Sequence, residues 1–302
     1  MTARRIVSLL PSATEILFAI GAGDCVVGVT HECDFPPEAR ARVALTSSLL
    51  PGDAVTAGAI DRHVRASVHS GSSLYALDAE RLAQLEPDLI VTQELCEVCA
   101  VSYEIVAQAA KRLRGEPRVV SLEPSSLEDV YATMIFLGEL SGHERDAAEV
   151  VAGLRLRESV LRNTPRDAAP HALILEWTDP PMSGGHWTPG LVELAGGTPV
   201  LSHPGANSQT LSWDAIANAD PDVVILVPCG FDLAHALRAA AELAHNPVWS
   251  ALRAVTSGHA YVMDGNAYVN RPGPRLIDSA DRFAWCFHEA AFAPQPSGIA
   301  LV

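Results

Sequence analysis

Four side chains of metal-binding type stand on two short turns. His31 and Cys33 lie in Thr30-His-Glu-Cys-Asp-Phe-Pro-Pro37, and Cys96 and Cys99 lie in Glu94-Leu-Cys-Glu-Val-Cys99. Cys/His sets at such spacings suit tetrahedral zinc or another soft-ligand metal. A Cys-x-x-Cys at a helix start also suits a redox pair of lowered thiol pKa. Without a site, the same cysteines are ordinary interior thiols, since free cysteine packs as a small hydrophobe. A second group, Glu176, Trp177, His186 and Trp187, stands in Glu176-Trp-Thr-Asp-Pro-Pro181 and Ser183-Gly-Gly-His-Trp187. Its glycine pair lets backbone come close to a ligand. His186 is a polar contact, a metal ligand, or a loop histidine bonded to backbone. The two tryptophans are cleft wall or lobe core. Phe231, in Pro228-Cys-Gly-Phe231, is a stacking candidate with Cys229 structural beside it, and the polar and aromatic loop around Tyr268 reads as a lid edge. No Ser-His-Asp set, phosphate loop or dinucleotide fingerprint is present in the sequence, so a binding protein is expected and not an enzyme.

The elements that must hold these residues alternate. Strands are expected at Arg5–Leu10, Val26–Val29, 87–91 and Arg118–Leu122, with helices between them, the first opened by Ser12-Ala-Thr-Glu15 at capping-box spacing. Residues 46–76 read as loop with a short helix around 57–67. From Leu127 to about Arg162 the pattern is helical without proline, interrupted only at Ser141-Gly142, and reads as a connecting rod. The strand-helix order then returns: strands at His171–Leu175, Pro199–Leu201, 221–227 and Ala260–Met263, a helix capped by Thr188, another by Ser212, and a last one near 275–291. The stretch Pro87-Asp-Leu-Ile-Val91 is echoed by Pro221-Asp-Val-Val-Ile225. The chain therefore divides into an N-terminal α/β lobe (1–124), a connecting helical segment (125–165) and a C-terminal α/β lobe (166–302). The fold class is α/β, two Rossmann-like lobes with mostly parallel sheets joined by one long helix. Ligands of such sheets sit beyond the carboxyl ends of the strands, where the candidate residues collect.

Composition narrows the function. A net charge of −15 argues against a nucleic-acid binder, which needs a basic face. With 48% hydrophobic and 19% charged residues, the chain folds. No window approaches the roughly 20 apolar residues of a spanning helix, and the opening apolar run is too short for a signal sequence. As written, the sequence points to the cytoplasm, or to the periplasm or cell exterior if the start is misassigned. Six cysteines are few for a disulfide scaffold and agree with a reducing compartment. A monomer is expected.

Several ordered segments carry a resemblance: Arg5-Ile-Val-Ser-Leu-Leu-Pro-Ser-Ala-Thr-Glu15, Gly28-Val-Thr followed by Phe35-Pro-Pro37, Leu82-x-x-Leu-x-Pro-Asp-Leu-Ile-Val91, Leu194-Ala-Gly-Gly197 and Arg271-x-x-Pro274-Arg. Over nearly its whole length the chain resembles the rigid-helix substrate-binding proteins of ABC importers for cobalamin and ferric siderophores, and the cobalamin branch above all. That resemblance implies cobalamin or a similar metal chelate held between two lobes, with Trp177, Trp213 and Tyr268 lining the cleft and Glu94, Glu176, His186, Trp187 and Phe231 on the neighbouring turns. It further implies docking to a transporter permease through one acid on each lobe, here Glu80 and Asp214, which otherwise favour their own helix dipoles. The competing reading is a cytoplasmic metal- or thiol-dependent enzyme on the same fold, centred on His31, Cys33, Cys96 and Cys99.

Overall fold

The computed structural model describes residues 2–50, 56–70, 74–93, 103–113, 115–166, 168–288 and 295–302. The chain divides into two compact units. The first comprises Met1–Val55, Ala59–Pro124 and Glu128–Gly153, and the second Thr56–Gly58, Ser125–Leu127 and Leu154–Val302.

In the first unit the strands are β1 (Ile6–Ser8), β2 (Val26–Val29), β3 (Val43–Ala44), β4 (Thr46–Ser48), β5 (Tyr75–Leu77), β6 (Leu89–Thr92) and β7 (Arg118–Ser121). Five of them form a parallel sheet in the order β3-β2-β1-β6-β7. Both faces of such a sheet are covered, which is why β1 and β6 are uninterrupted buried runs instead of alternating ones. Helices α1 (Pro11–Ala19), α2 (Ala57–Ser70), α3 (Ala79–Gln84) and α4 (Tyr103–Ala110) accompany these strands. A core of Val7, Leu9, Leu45, Leu82, Ile90 and Val106 joins strands to helices. Asp78 caps α3 by accepting from the Arg81 N–H. Ser12 does not cap α1 as its spacing suggests. The helix begins one residue earlier with Pro11 at its first position, where the missing N–H costs nothing.

One feature of this half departs from the sequence expectation. Within 46–76, expected as loop and short helix, Thr46–Ser48 and Tyr75–Leu77 pair as a separate antiparallel ribbon. The connecting helical run is divided at the expected Ser141-Gly142 interruption into α5 (Leu127–Ser141) and α6 (Glu144–Asn163). Gly142 stands between them at φ +75°, and the His143 N–H closes back on the Gly138 carbonyl at 2.8 Å. A left-handed glycine closed by such a bond ends a helix firmly.

The second unit carries β8 (His171–Thr178), β9 (Pro181–Ser183), β10 (Thr198–Pro199), β11 (Val223–Leu226), β12 (Ala260–Met263) and β13 (Ile299–Leu301). The sheet order is β10-β8-β11-β12-β13, parallel except for β13 at the edge, with β9 folded back on β8. Its helices are α7 (Thr188–Leu194), α8 (Trp213–Ala219), α9 (Leu233–Leu243), α10 (Pro247–Ala251), α11 (Arg253–Thr256) and α12 (Leu276–Phe287). Ser212 caps α8 by accepting from the Ala215 N–H. Thr188 does not cap α7: Trp187 is the capping residue and makes no side-chain cap bond.

The Pro-Asp echo has a structural cause. Asp88 accepts from the backbone N–H groups of Arg4 and Arg5, at 2.9 and 3.1 Å, just before β1. Asp222 accepts from the N–H of His171 at 2.8 Å, at the start of β8. Each aspartate thus ties the amino end of its own strand to that of the strand beside it.

Candidate functional site

Strand order says where each sheet can hold a ligand. In a doubly wound sheet the crevice opens beyond the carboxyl ends of the two strands where the order reverses. That point lies between β1 and β6 in the first unit and between β8 and β11 in the second.

In the second unit the reversal point brings together residues distant in sequence. Leu175 pairs with Leu226, so Glu176 and Trp177, in the last residues of β8, stand beside the turn that follows β11. The Cys229 N–H donates to the Glu176 carbonyl at 3.0 Å and fixes that turn. Trp177 and Phe231 meet edge to face with centroids 5.3 Å apart, a favoured aromatic geometry. Phe231 is buried and rests in turn near the His235 ring, which Asp232 holds at 2.7 Å from Nδ1.

Glu176 is the most perturbed carboxyl at this edge. Burial pushes it up to about 7, although the Ser208 hydroxyl and the Gly185 N–H both donate to it and pull the other way. It is therefore substantially protonated near neutral pH. Sequence reasoning missed Ser208, which is separated from Glu176 by β9, α7 and β10 and carries no motif.

Gly185 serves a different purpose from the one its sequence suggests. A Cβ there would lie 2.3 Å from the backbone nitrogen of Ser208, so the glycine admits the 206–208 backbone instead of a ligand. His186 follows at φ +52°, held by its N–H on the Ala206 carbonyl and by its carbonyl accepting from Gly205. Its Nδ1 is enclosed without a hydrogen-bond partner among the described residues, and burial lowers its pKa. Trp187 donates its indole N–H to the Val269 carbonyl at 2.7 Å.

Two of the expected cleft residues have partners elsewhere in this unit. Trp213 packs its half-buried ring edge-on against the buried Trp249 of α10. Tyr268 accepts from the Arg282 guanidinium at 2.7 Å, and the same guanidinium carbon lies 3.7 Å from its ring centroid. The structure brings Glu176, Trp177 and Phe231 together at the reversal point, with His186 and Trp187 on the adjoining loop.

In the first unit, His31 and Cys33 follow β2. Cys33 is 3% exposed and lies 3.1 Å from both the Thr14 and Thr30 hydroxyls, in the core. His31 is exposed, with Nδ1 2.7 Å from Thr46 Oγ1. Glu94, Cys96 and Cys99 lie outside the described residues. Among the described residues no three His, Cys, Asp or Glu side chains gather as a metal site. Glu80 and Asp214 are exposed in the first turns of α3 and α8.

Paired parallel sheets with aromatic and carboxyl groups at a reversal point define an α/β binding protein of the two-unit type. The chain belongs to the periplasmic binding protein family, whose model matches residues 6–267. It is 25% identical over 301 residues to the uncharacterised ABC transporter substrate-binding lipoprotein YvrC of Bacillus subtilis, covering 96% of this chain and 81% of that protein. It is 21% identical over 291 residues to the vitamin B12-binding protein of Vibrio cholerae, covering 93% of this chain and 87% of the relative. Its fold is similar to that of a periplasmic haem-binding protein from Pseudomonas aeruginosa, with a TM-score of 0.71, 21% identity, and 99% and 98% of the two chains covered.

Proposed function

We propose that the chain binds a flat metal chelate, cobalamin or a related tetrapyrrole, and delivers it to an ABC importer. The observation that carries this reading is the grouping of Trp177, Phe231 and the raised carboxyl of Glu176 at the β8/β11 reversal point. A corrinoid is broad, largely apolar and rimmed by neutral amides. Aromatic rings bury such a surface with little loss of side-chain freedom, and a protonated carboxyl donates to an amide carbonyl without a buried charge. The relatives named for vitamin B12 and for ABC transport support the same assignment. They also favour a site of action outside the cytoplasmic membrane over the cytoplasmic one expected from the sequence. No described helix is long and apolar enough to cross a membrane. Glu80 and Asp214, exposed in the first turns of α3 and α8, are assigned to permease docking.

The test is titration of dialysed protein with hydroxocobalamin, following corrinoid absorbance and tryptophan emission together. Saturation at one equivalent is expected. Absence of binding at high micromolar concentration removes cobalamin as the ligand.

A further inference from the structure

Residues 203–211 of the second unit lie outside its sheet and helices, yet their backbone is bonded repeatedly to one neighbour. The Leu211 N–H donates to the Pro181 carbonyl at 2.8 Å, the Ser183 N–H to the Gln209 carbonyl at 2.9 Å, and the His186 N–H to the Ala206 carbonyl at 2.6 Å. Gly205 returns its N–H to the His186 carbonyl at 2.9 Å, and Thr210 bridges Met182 in antiparallel sense. The segment thus runs like an extra strand beside β9 and the loop that carries His186 and Trp187. Its side chains alternate accordingly: Ala206 and Ser208 are half-buried, whereas Gly205, Asn207 and Gln209 are exposed.

Beneath this segment lies the Glu176 carboxyl, which accepts from the Ser208 hydroxyl and the Gly185 N–H. Gly185 lacks the Cβ that the 206–208 backbone would strike. Little else fastens the segment. Gly205-Ala-Asn-Ser-Gln-Thr210 carries no large apolar side chain, so backbone bonds and one carboxyl hold it. A segment with so little buried apolar surface opens locally, at lower cost than a core strand.

The two donors favour the ionised form of Glu176, while burial opposes it and prevails. A charge enclosed there is relieved when water reaches it, and lifting the segment admits water. The titratable groups on the loops around it are Asp179, His186 and His203, with Glu193 exposed on α7. Beyond β11 stand Cys229, Asp232 and His235, and beyond β12 Asp264 and Arg271. The perturbation of Glu176 comes from burial and the two hydrogen bonds, not from any of these charges.

We propose that residues 203–211 are a proton-controlled strap, closed over protonated Glu176 and released when that carboxyl ionises. Linkage gives the sign. Under the closed strap Glu176 titrates at about 7, and with the strap lifted it returns towards the ordinary 4.5. Closure is therefore favoured in full below about pH 4.5, and that advantage is lost as pH rises through about 7. Because His186 is bonded to Ala206, release also frees the loop bearing Trp187 beside the reversal point. The device works within the second unit, whatever ligand the edge takes.

Residue-resolved amide hydrogen exchange on the unliganded full chain, from about pH 5 to about pH 8, tests this. Each rate is compared with that of unstructured peptide at the same pH. The N–H groups of Ser183, His186, Gly205 and Leu211 report on the strap, and that of Val227, bonded to the Leu175 carbonyl at 2.8 Å, is the sheet reference. The strap reporters should be less protected than Val227 throughout, and their protection should fall about tenfold or more across the range. In E176Q, an uncharged near-isostere, they should keep their low-pH protection at every pH. Circular dichroism checks the fold of the variant, and the wild-type profile decides even if the variant does not fold. Flat protection in the wild type overturns the strap. So does protection equal to that of Val227 at every pH, which means that the segment opens only when the unit unfolds. An E176Q profile with the parent slope overturns the role of Glu176 as its switch.

Discussion

The indole N–H of Trp187 donates to the carbonyl of Val269, 82 residues further along the chain. Val269 is fully buried at φ +36°, a conformation that a β-branched residue rarely adopts, and its own N–H rests on Ser279 Oγ at 3.0 Å. Such a backbone costs on the order of 1–3 kcal/mol and persists only where surroundings impose it. Trp187→Phe keeps most of the ring and removes the donor. It should lower stability by about 1–2 kcal/mol, read as a shift in the thermal midpoint, and weaken ligand binding through movement of the 184–188 loop. An unchanged midpoint would mean that the carbonyl finds another donor.

Glu176 gives the protein a pH-dependent stability. Its folded value of about 7 lies above the ordinary 4.5, so the native state holds a proton that the unfolded chain releases between the two. This contribution is complete below about pH 4.5 and is lost as pH rises through about 7. At about 1.4 kcal/mol per unit the swing is on the order of 3 kcal/mol. Glu176→Gln should flatten the profile, measured as urea midpoints across that window. A variant with the parent slope would assign the pH dependence to other groups.

Gly185→Ala is expected to be among the most damaging single-methyl additions to the second unit. The new Cβ meets the backbone of residues 206–208, at distances of 2.3 to 2.8 Å, and neither segment is a flexible side-chain end. One loop must move, and the N–H that Gly185 gives to Glu176 moves with it. Overpacking of this kind costs about 1–3 kcal/mol. The informative readout is the Glu176 titration, followed by carboxyl infrared absorption, which should change together with the thermal midpoint.

Thiol reactivity separates the cysteines. Cys33 and Cys286 are buried at 3% and 2% exposure, and Cys229 is exposed. Native alkylation followed by peptide mass mapping should label Cys229 within minutes and leave Cys33 and Cys286 unmodified until the protein is denatured. Rapid labelling of Cys33 would contradict its place beneath Thr14 and Thr30 and restore it as a metal-ligand candidate.

Docking through Glu80 and Asp214 predicts a separation of effects. Replacing both with alanine should leave cobalamin affinity and thermal midpoint within experimental error, since each is an exposed residue in the first turn of a short helix. Ligand-stimulated ATP hydrolysis by a reconstituted importer should fall sharply. Undiminished stimulation would place the docking surface elsewhere.

The parallel sheets were legible because their strands are short apolar runs such as Ile6-Val7, Leu89-Ile-Val91 and Val223–Leu226, the last two each fed by a helix and by Pro-Asp. The β4–β5 ribbon was not. Thr46-Ser-Ser48 has no apolar alternation, and its partner is about thirty residues away across a helix. Trp177 and Phe231 could be nominated from their turns, but their contact depends on the adjacency of β8 and β11, which no local pattern encodes. The edge-on contact of Trp213 with Trp249 was likewise not legible, because the two stand on different helices, α8 and α10. Glu176 could be picked out as an acid at a strand end, whereas its protonation depends on burial and on Ser208.

The antiparallel strand β13 leaves one further mark on the molecule. It lies along β12 from Tyr261 to Met263, and the Val302 N–H bonds the Ala260 carbonyl at 3.0 Å. Residues 299–302 therefore serve as a selvedge for β12, taking up hydrogen-bonding groups of that strand that would otherwise be open to any passing chain. Border strands left bare recruit copies of themselves. Removing 299–302 would thus express itself first as self-association at high concentration, with the ligand edge untouched.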